Sequence, residues 1–354
     1  SKQFLPLLDK EDGSMESMVQ RVVRQVREAD LTDNITLATN ASQLDIIINQ
    51  LGDGVSVVTE PERRDTFPAI ALAASYLKLA ENCPDDEVVV IMPCDPYTES
   101  GYFETIGKMV KCVDANVAEL VLTGITPTYP SEKYGYIIPE GKDETSKVKT
   151  FKEKPTADVA EQYIAQGALW NGGVFAYKLK YVLERAHELI DFTDYEDLFN
   201  KYETLTKISF DYAVVEKEDN IQVMRFKGEW KDLGTWNTLT EAMEEPVIGK
   251  GVLGEQCEGV QIINEMNVPV LAMGLKDVVI SASPEGILVS DKESSSYIKP
   301  YVDKFEQQIM FAEKSWGSYQ VIDVEDGSMT IKVTLNPGSK MNYHSHERRD
   351  EVWV

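Results

Sequence analysis

Val88-Val89-Val90-Ile91-Met92-Pro93-Cys94-Asp95-Pro96 is the stretch on which the fold turns. Its apolar residues run without polar alternation, the pattern of a strand buried on both faces. The run breaks at Pro93, and a helix-like stretch follows from Tyr102 to Val113. Leu120-Val121-Leu122 is then the next strand. Upstream, Ile35 to Ala38 and Val55 to Val58 read as strands. Between them Gln43 to Gln50 reads as a helix capped by Ser42 and stopped at Gly52. Pro68 to Ala80 reads as a helix with proline in its first turn. Met18, Val19, Val22, Val23 and Val26 recur at helical spacing behind Ser14. Strands and helices alternating in this way predict an α/β domain with a mostly parallel sheet covered on both faces. Ligands on such sheets bind beyond the carboxyl ends of the strands, which is where Asp95 falls.

From about Pro246 the texture changes to short β-rich pieces with turns at Gly254, Gly259, Gly274 and Pro284-Glu285-Gly286. The expected divisions are 1–245, a smaller β unit at 246–300, a linker helix at 301–315, and a further β segment at 316–354. Within the linker, Tyr301 to Ala312 reads as the helix. The 354 residues are 43% hydrophobic and 27% charged, an ordinary globular composition. Lys and Arg number 35 against 60 Asp and Glu, a net charge of −25. A chain this acidic repels a phosphate backbone, so nucleic acid is not an expected partner. An anionic small ligand would need local lysines or a metal ion. No apolar run reaches the roughly 18 residues of a membrane span, so no membrane partner is expected. Cys83, Cys94, Cys112 and Cys257 show no C-x-x-C spacing, which suits a reducing, cytoplasmic setting. The first residue is not Met and Val354 falls within a strand-like run, so the chain is expected to continue at both ends.

Several residues invite a chemical reading, and each has a plainer one. Asp95 is either a ligand-site carboxylate or a turn former beside two prolines, and position alone does not choose. In Trp230-Lys231-Asp232-Leu233-Gly234-Thr235-Trp236 the glycine permits close backbone approach and the aromatics can wall a pocket. Two such aspartates brought together can hold Mg²⁺, which also binds phosphate oxygens. In Phe151-Lys152-Glu153-Lys154-Pro155 the lysine can pair with a phosphate and Glu153 can accept from sugar hydroxyls. A solvated charged turn is the alternative. Trp170-Asn171-Gly172-Gly173-Val174-Phe175 and Lys133-Tyr134-Gly135-Tyr136 suit close approach of a polar ligand, or tight turns.

These segments occur in one order with Thr59-Glu60-Pro61-Glu62-Arg63-Arg64-Asp65-Thr66-Phe67-Pro68 and Phe210-Asp211-Tyr212-Ala213. In that order the chain resembles the bacterial long-chain mannose-1-phosphate guanylyltransferases over nearly its whole length. The resemblance implies a Rossmann-like nucleotidyltransferase domain followed by a short left-handed β-helix-like unit. It implies that GTP and mannose 1-phosphate give GDP-mannose and pyrophosphate. Asp95 and Asp232 would be the Mg²⁺ ligands, Lys2 would lie near the nucleotide phosphates, and Lys154 would hold the sugar phosphate. Glu153, Asn171 and the Gly135 backbone would contact mannose, and Glu60 and Arg64 would lie near the nucleotide. Ser1-Lys2-Gln3-Phe4-Leu5 resembles the segment just after the family's Gly-rich nucleotide loop, which this sequence does not contain. Cys94 and Pro96 depart from the family pattern around Asp95. A homodimer is the expected assembly.

Gly338, His344, His346 and Glu351 fit the first motif of a cupin, whose His and Glu side chains can share a divalent metal. Long family members fuse such a cupin, carrying phosphomannose isomerase activity, but most have Gln where His344 stands. The second cupin motif is not in this sequence, so 316–354 reads as the start of a cupin-like segment. Three further readings stay open: another hexose-1-phosphate nucleotidyltransferase, a bifunctional enzyme with mannose-6-phosphate isomerase activity, and a non-catalytic nucleotide-sugar-binding subunit.

Overall fold

The structure is a computed structural model that describes every residue except Ser1, Asp303, 306–308, 343–344 and 348–349. It divides into two compact units, Ser1–Leu44 with Leu51–Glu244, and Asp45–Gln50 with Glu245–Val354. Through Glu244 the elements run β1 (Leu8–Asp9), β2 (Met15–Glu16), α1 (Met18–Glu28), β3 (Thr36–Asn40), α2 (Leu44–Leu51), β4 (Ser56–Glu60), α3 (Thr66–Leu79), β5 (Val88–Ile91), β6 (Pro96–Thr98) and α4 (Gly101–Asp114). They continue with β7 (Leu120–Ile125), β8 (Tyr136–Pro139), β9 (Thr145–Lys152), α5 (Ala157–Ala165), β10 (Leu169–Lys178), α6 (Leu179–Leu189), α7 (Tyr195–Lys201), α8 (Phe210–Ala213), β11 (Ile221–Phe226), β12 (Trp230–Asp232) and α9 (Trp236–Glu241).

The central sheet has six strands in the order β5-β10-β7-β11-β9-β8, and β8 also pairs with β10, which closes the sheet into a barrel-like ring. The mostly parallel sheet expected from the sequence is corrected here. Within this sheet only β7 and β11 run parallel. β10 lies antiparallel to β5, β7 and β8, and β9 lies antiparallel to β11 and β8. A second parallel pair, β3 with β4, stands apart from it. Burial explains the miss. Unbroken apolar runs in β5 and β7 report coverage on both faces, and an antiparallel β10 between them meets that demand equally well.

The coverage itself is as the apolar runs require. Tyr102, Phe103, Ile106, Met109 and Val113 of α4 pack on one face against Val121, Ile125, Val174 and Ala176. Phe67, Ile70 and Ala74 of α3 pack on the other against Leu120, Leu122, Phe175 and Tyr177. Alternate residues of β7 and β10 thus serve opposite cores, as the two-residue period of a strand demands. Some helix starts differ from expectation. Ser17, not Ser14, caps α1: its Oγ accepts from Gln20 N at 3.2 Å while its N–H donates to Gln20 Oε1 at 3.0 Å. Ser14 instead donates to Asp12. Asn40, not Ser42, caps the turn leading into α2.

The second unit contains β13 (Val247–Gly249), β14 (Gly251–Leu253), β15 (Gln261–Asn264), β16 (Val270–Ala272), β17 (Val278–Ser283), β18 (Gly286–Asp291), α10 (Lys299–Val302), β19 (Phe311–Lys314), β20 (Gly317–Glu325) and β21 (Ser328–Leu335). β13, β15 and β17 form one parallel ladder, to which β18 adds antiparallel, and β14 pairs parallel with β16. Val260, Ile262, Ala272 and Ile280 make its small core. Buried Asn264 donates to the Lys250 and Val268 carbonyls at 2.7 Å each, so its amide protons are satisfied. Of the helix expected over Tyr301 to Ala312, Asp303 and 306–308 lie outside the described residues, and the described part is helical only at its start. The described helix is the single turn of α10, and Phe311 and Ala312 lie in β19, paired with Gln320 and Tyr319. Asp45 of α2 belongs to this unit and meets Lys314 Nζ at 2.9 Å.

Candidate active site

Two turns after strands make the first cluster. Asp95 follows β5, and β12 pairs antiparallel with β6 so that Asp232 stands opposite Pro96. Leu233 N donates to the Asp95 carbonyl at 3.0 Å, which fastens the two turns together. Gly234 N donates to Asp232 Oδ1 at 2.7 Å and holds that carboxylate in place. Burial, and then the Asp232 carboxylate, push the Asp95 carboxyl up to about 6, against a backbone hydrogen bond and Lys2. Lys2 Nζ donates to the Gly234 carbonyl and lies 5.7 Å from the Trp236 ring centre. Burial lowers the Lys2 pKa, against the pull of Asp95 and Asp232. Three residues far apart in sequence therefore share one electrostatic environment. Cys94 beside them is half-buried, and desolvation, then the Asp95 charge, push its thiol up to about 12. A shift in that direction favours the thiol over the thiolate.

The second cluster gathers Gly135, Glu153, Lys154, Asn171 and Asp211. Glu153 is only 8% exposed and pairs with Lys154 Nζ at 2.9 Å. Lys154 takes a φ of +46°, a left-handed conformation that a side-chain-bearing residue holds only when its surroundings enforce it. Burial works against its ammonium, but the bond to Glu153 leaves its pKa above the ordinary lysine value. Gly135 is glycine for lack of space: a Cβ there would sit 2.5 Å from Glu153 Oε2 and 2.9 Å from the Phe151 ring. Its carbonyl accepts from Asn171 N at 2.8 Å. The register of β10 against β7 shifts between Asn171 and Phe175, and Gly173 in that interval has a φ of +73°. Asn171 is the last residue paired, with Gly124, before that irregularity, and its Nδ2 donates to Asp211 Oδ1 at 2.7 Å. Burial, then the Glu153 carboxylate, push the Asp211 carboxyl up to about 7, against a backbone hydrogen bond, Lys154 and Asn171.

Aromatic rings join the clusters. Tyr134 lies 4.9 Å from Trp170 and 5.6 Å from Trp230 between ring centres, and Trp170 and Trp230 are 6.4 Å apart. Each ring is a near neighbour in sequence of a site residue: Tyr134 of Gly135, Trp170 of Asn171, Trp230 of Asp232. Burial, then the Asp232 charge, raise the pKa of the Tyr134 hydroxyl, with smaller pushes from Tyr129 and Asp95. The three rings thus pack on one another beside sequence neighbours of both clusters.

Glu60 and Arg64 form a separate group. Glu60 Oε2 accepts from the Tyr202 hydroxyl at 2.9 Å. Arg64 donates to the Glu203 carbonyl and meets Glu62 Oε2 at 2.5 Å. In the tail, His346 Nε2 lies 2.7 Å from Glu351 Oε1, while His344 lies outside the described residues. Among the described residues no three His, Cys, Asp or Glu side chains gather as metal ligands. Asp211 is the residue to which sequence reasoning assigned no role. It sits in the first turn of α8, where an acidic residue reads as an ordinary partner of the helix dipole.

The Nucleotidyl transferase family model matches residues 1–246. A Vibrio cholerae serotype O1 protein, provisionally named a mannose-1-phosphate guanylyltransferase, is 29% identical over all of this chain and 81% of its own length. A mannose-1-phosphate guanylyltransferase of Salmonella montevideo is 27% identical, again over all of this chain and 81% of its own. The crystal structure of a mannose-1-phosphate geranyltransferase from Thermus thermophilus superposes with a TM-score of 0.67 at 25% identity, covering 86% of this chain and 92% of that one. No described helix is long and apolar enough to cross a membrane. The family match spans well over half of the sequence and takes in both carboxylate clusters, so the chain belongs to the nucleotidyl transferase family.

Proposed function

We propose that the chain transfers a guanylyl group from GTP to mannose 1-phosphate, giving GDP-mannose and pyrophosphate. The observation that carries this reading is the pairing of two clusters across one set of aromatic rings. One holds two carboxylates and a lysine; the other holds a carboxylate, a lysine and an amide below a glycine. The first suits a nucleoside triphosphate, and the second suits a sugar phosphate with hydroxyls to be read. Guanine and mannose follow the names of the Salmonella montevideo and Vibrio cholerae relatives.

Asp95 and Asp232 fit a Mg²⁺ ion by their chemistry: two hard oxygen donors, one with its pKa raised by burial and then by the other's charge, so a divalent cation relieves their repulsion. Mg²⁺ commonly takes one or two carboxylates and fills its remaining positions with water and substrate phosphate. When bound there, it would neutralise charge on the phosphates during transfer. Lys2 lies beside the pair to meet the triphosphate. Lys154 holds the acceptor phosphate, while Glu153, the Asn171 side chain and the Gly135 backbone contact the mannose hydroxyls. Glu60 and Arg64 serve the nucleotide. An oxygen of mannose 1-phosphate attacks the α-phosphorus in line and forms the new P–O bond. The bond from that phosphorus to the bridging oxygen breaks, and pyrophosphate departs. The attacking oxygen is already ionised, so no side chain need remove a proton. Positioning and charge neutralisation then supply the catalysis.

The ladder of β13, β15 and β17, with β14 on β16, supports reading 246–300 as a short left-handed β-helix-like unit. The hairpin of β20 and β21 supports reading 316–354 as part of a cupin-like segment, with 301–315 linking the two. A homodimer and a cytoplasmic setting complete the proposal. Steady-state assays across the four nucleoside triphosphates, with mannose 1-phosphate and other hexose 1-phosphates, test it. The expected preference is for GTP with mannose 1-phosphate. A preference for another base or sugar would replace the substrate assignment, and binding without turnover would make the chain a nucleotide-sugar-binding subunit.

A further inference from the structure

Asp211 is placed to do more than fill the second cluster. The side-chain amide of Asn171 is used at both ends: Nδ2 donates to Asp211 Oδ1 at 2.7 Å, and Oδ1 accepts from Gly173 N at 3.1 Å. Its orientation is therefore fixed, and one amide N–H remains to donate. Asp211 is itself held firmly. Ser209 caps α8, and the neighbouring Phe210 N donates to Thr66 Oγ1 at 2.8 Å.

The charges facing this carboxyl are few. Glu153 and Lys154 approach from the turn after β9, and Asn171 approaches from β10. Glu216, in the turn after α8, accepts from Glu153 N at 3.3 Å and lies 3.8 Å from Lys152 Nζ, so it acts on that turn and not on Asp211. Tyr212 lies beside Lys154 and is 42% exposed. One ammonium thus stands between two carboxyl groups, and Glu153 already engages it. A doubly charged sugar phosphate drawn to Lys154 would bring further negative charge into a partly buried site.

We propose that Asp211 is the positioning residue of the acceptor pocket, fixing the Asn171 amide and taking up one proton when an anionic sugar 1-phosphate enters. The proposal rests on the guanylyltransferase reading only in naming mannose 1-phosphate as that ligand. The proton comes from solvent and goes to the carboxyl oxygen that Asn171 does not bond. No substrate bond changes, and the proton leaves when the site empties. A carboxyl already raised to about 7 needs little further shift to bind that proton near neutral pH. A protonated Asp211 also gains an O–H that can donate to a sugar oxygen.

Asp211→Asn tests this directly, because the amide oxygen still accepts from Asn171 but the side chain cannot ionise. The mannose 1-phosphate KM of the wild-type enzyme should rise about tenfold per pH unit above neutrality, as one-proton linkage requires. That of Asp211→Asn should not follow this slope. At pH 8 the sugar phosphate is already dianionic, since its second pKa is about 6. Calorimetric titration of mannose 1-phosphate at pH 8, in two buffers of different ionisation enthalpy, should report uptake of about one proton by the wild type and none by Asp211→Asn. Asp211→Ala, which loses the anchor for Asn171, should raise the mannose 1-phosphate KM about tenfold or more without moving that of GTP. Equal pH slopes or equal proton uptake in wild type and Asp211→Asn would overturn the proposal. If the wild type prefers another sugar 1-phosphate, the guanylyltransferase reading fails, and the same comparison made with that sugar still decides the role of Asp211.

Discussion

Asp95 illustrates what a site residue does to the molecule that carries it. Its carboxyl is raised to about 6, so the folded chain holds this proton more tightly than the unfolded chain does. The sign follows: its contribution to stability is full below the ordinary carboxylate range and is lost as pH rises through about 6. Above that, the ionised Asp95 costs on the order of 2–3 kcal/mol at most. Asp95→Asn should therefore melt higher than wild type at pH 8 in EDTA and match it near pH 4. A melting difference that does not change with pH would show that the ionisation is not strained. The same substitution, or Asp232→Asn, should cut turnover by about 10²–10³ by weakening divalent-cation binding. Full activity of either variant at limiting Mg²⁺ would remove these residues from the metal site. Lys154 makes a different bargain. Its partner Glu153 is buried while its own ammonium is half exposed and open to an anion. Lys154→Ala should raise the mannose 1-phosphate KM far more than that of GTP, and an equal rise in both would place the lysine elsewhere in the reaction.

At the scale of elements, the site depends on where backbones come closest. Gly135 sits on the approach to β8 with Glu153 Oε2 and the Phe151 ring where a Cβ would be. Its φ is not positive, so crowding alone makes it glycine. Gly135→Ala should push Glu153 or Phe151 aside, raise the mannose 1-phosphate KM about tenfold, and cost about 1–3 kcal/mol of stability. Wild-type kinetics in that variant would mean the two segments part easily and the pocket is looser than drawn. The sequence made such contacts legible in part. Tyr134-Gly135, Glu153-Lys154 and Trp170-Asn171 each announce a ring or a charge beside a special residue, and the fold draws them together. The direction of β10 was not legible, because apolar runs report burial and carry no sense of chain direction. Asp211 was quoted in a motif but hidden in role, since its partners Glu153 and Asn171 are 58 and 40 positions away in number. Ser14 looked like the α1 cap because it precedes the apolar series, but Ser17 has Gln20 three residues on to complete the capping box.

For the whole molecule, a net charge of −25 sets the terms on which anionic substrates enter. The long-range field opposes them, so capture rests on short-range cations, Lys2 in one cluster and Lys154 in the other. Both clusters lie in the first unit, within the family match. The tail from Trp316 belongs to the second unit, and its candidate ligands make a different set: His346 paired with Glu351, with His344 beside them in sequence. Nothing in the transfer chemistry draws on an imidazole, because the attacking phosphate oxygen needs no base. A double His344→Ala, His346→Ala variant should therefore leave GDP-mannose formation within about twofold of wild type, as substitutions that share no partner with a site usually do. The measurement is initial rate at saturating GTP and mannose 1-phosphate, with circular dichroism to show that the fold is kept. A large loss of rate in a folded variant would mean that the tail supplies a group to nucleotidyl transfer, and the chemistry would then have to be rebuilt across both units.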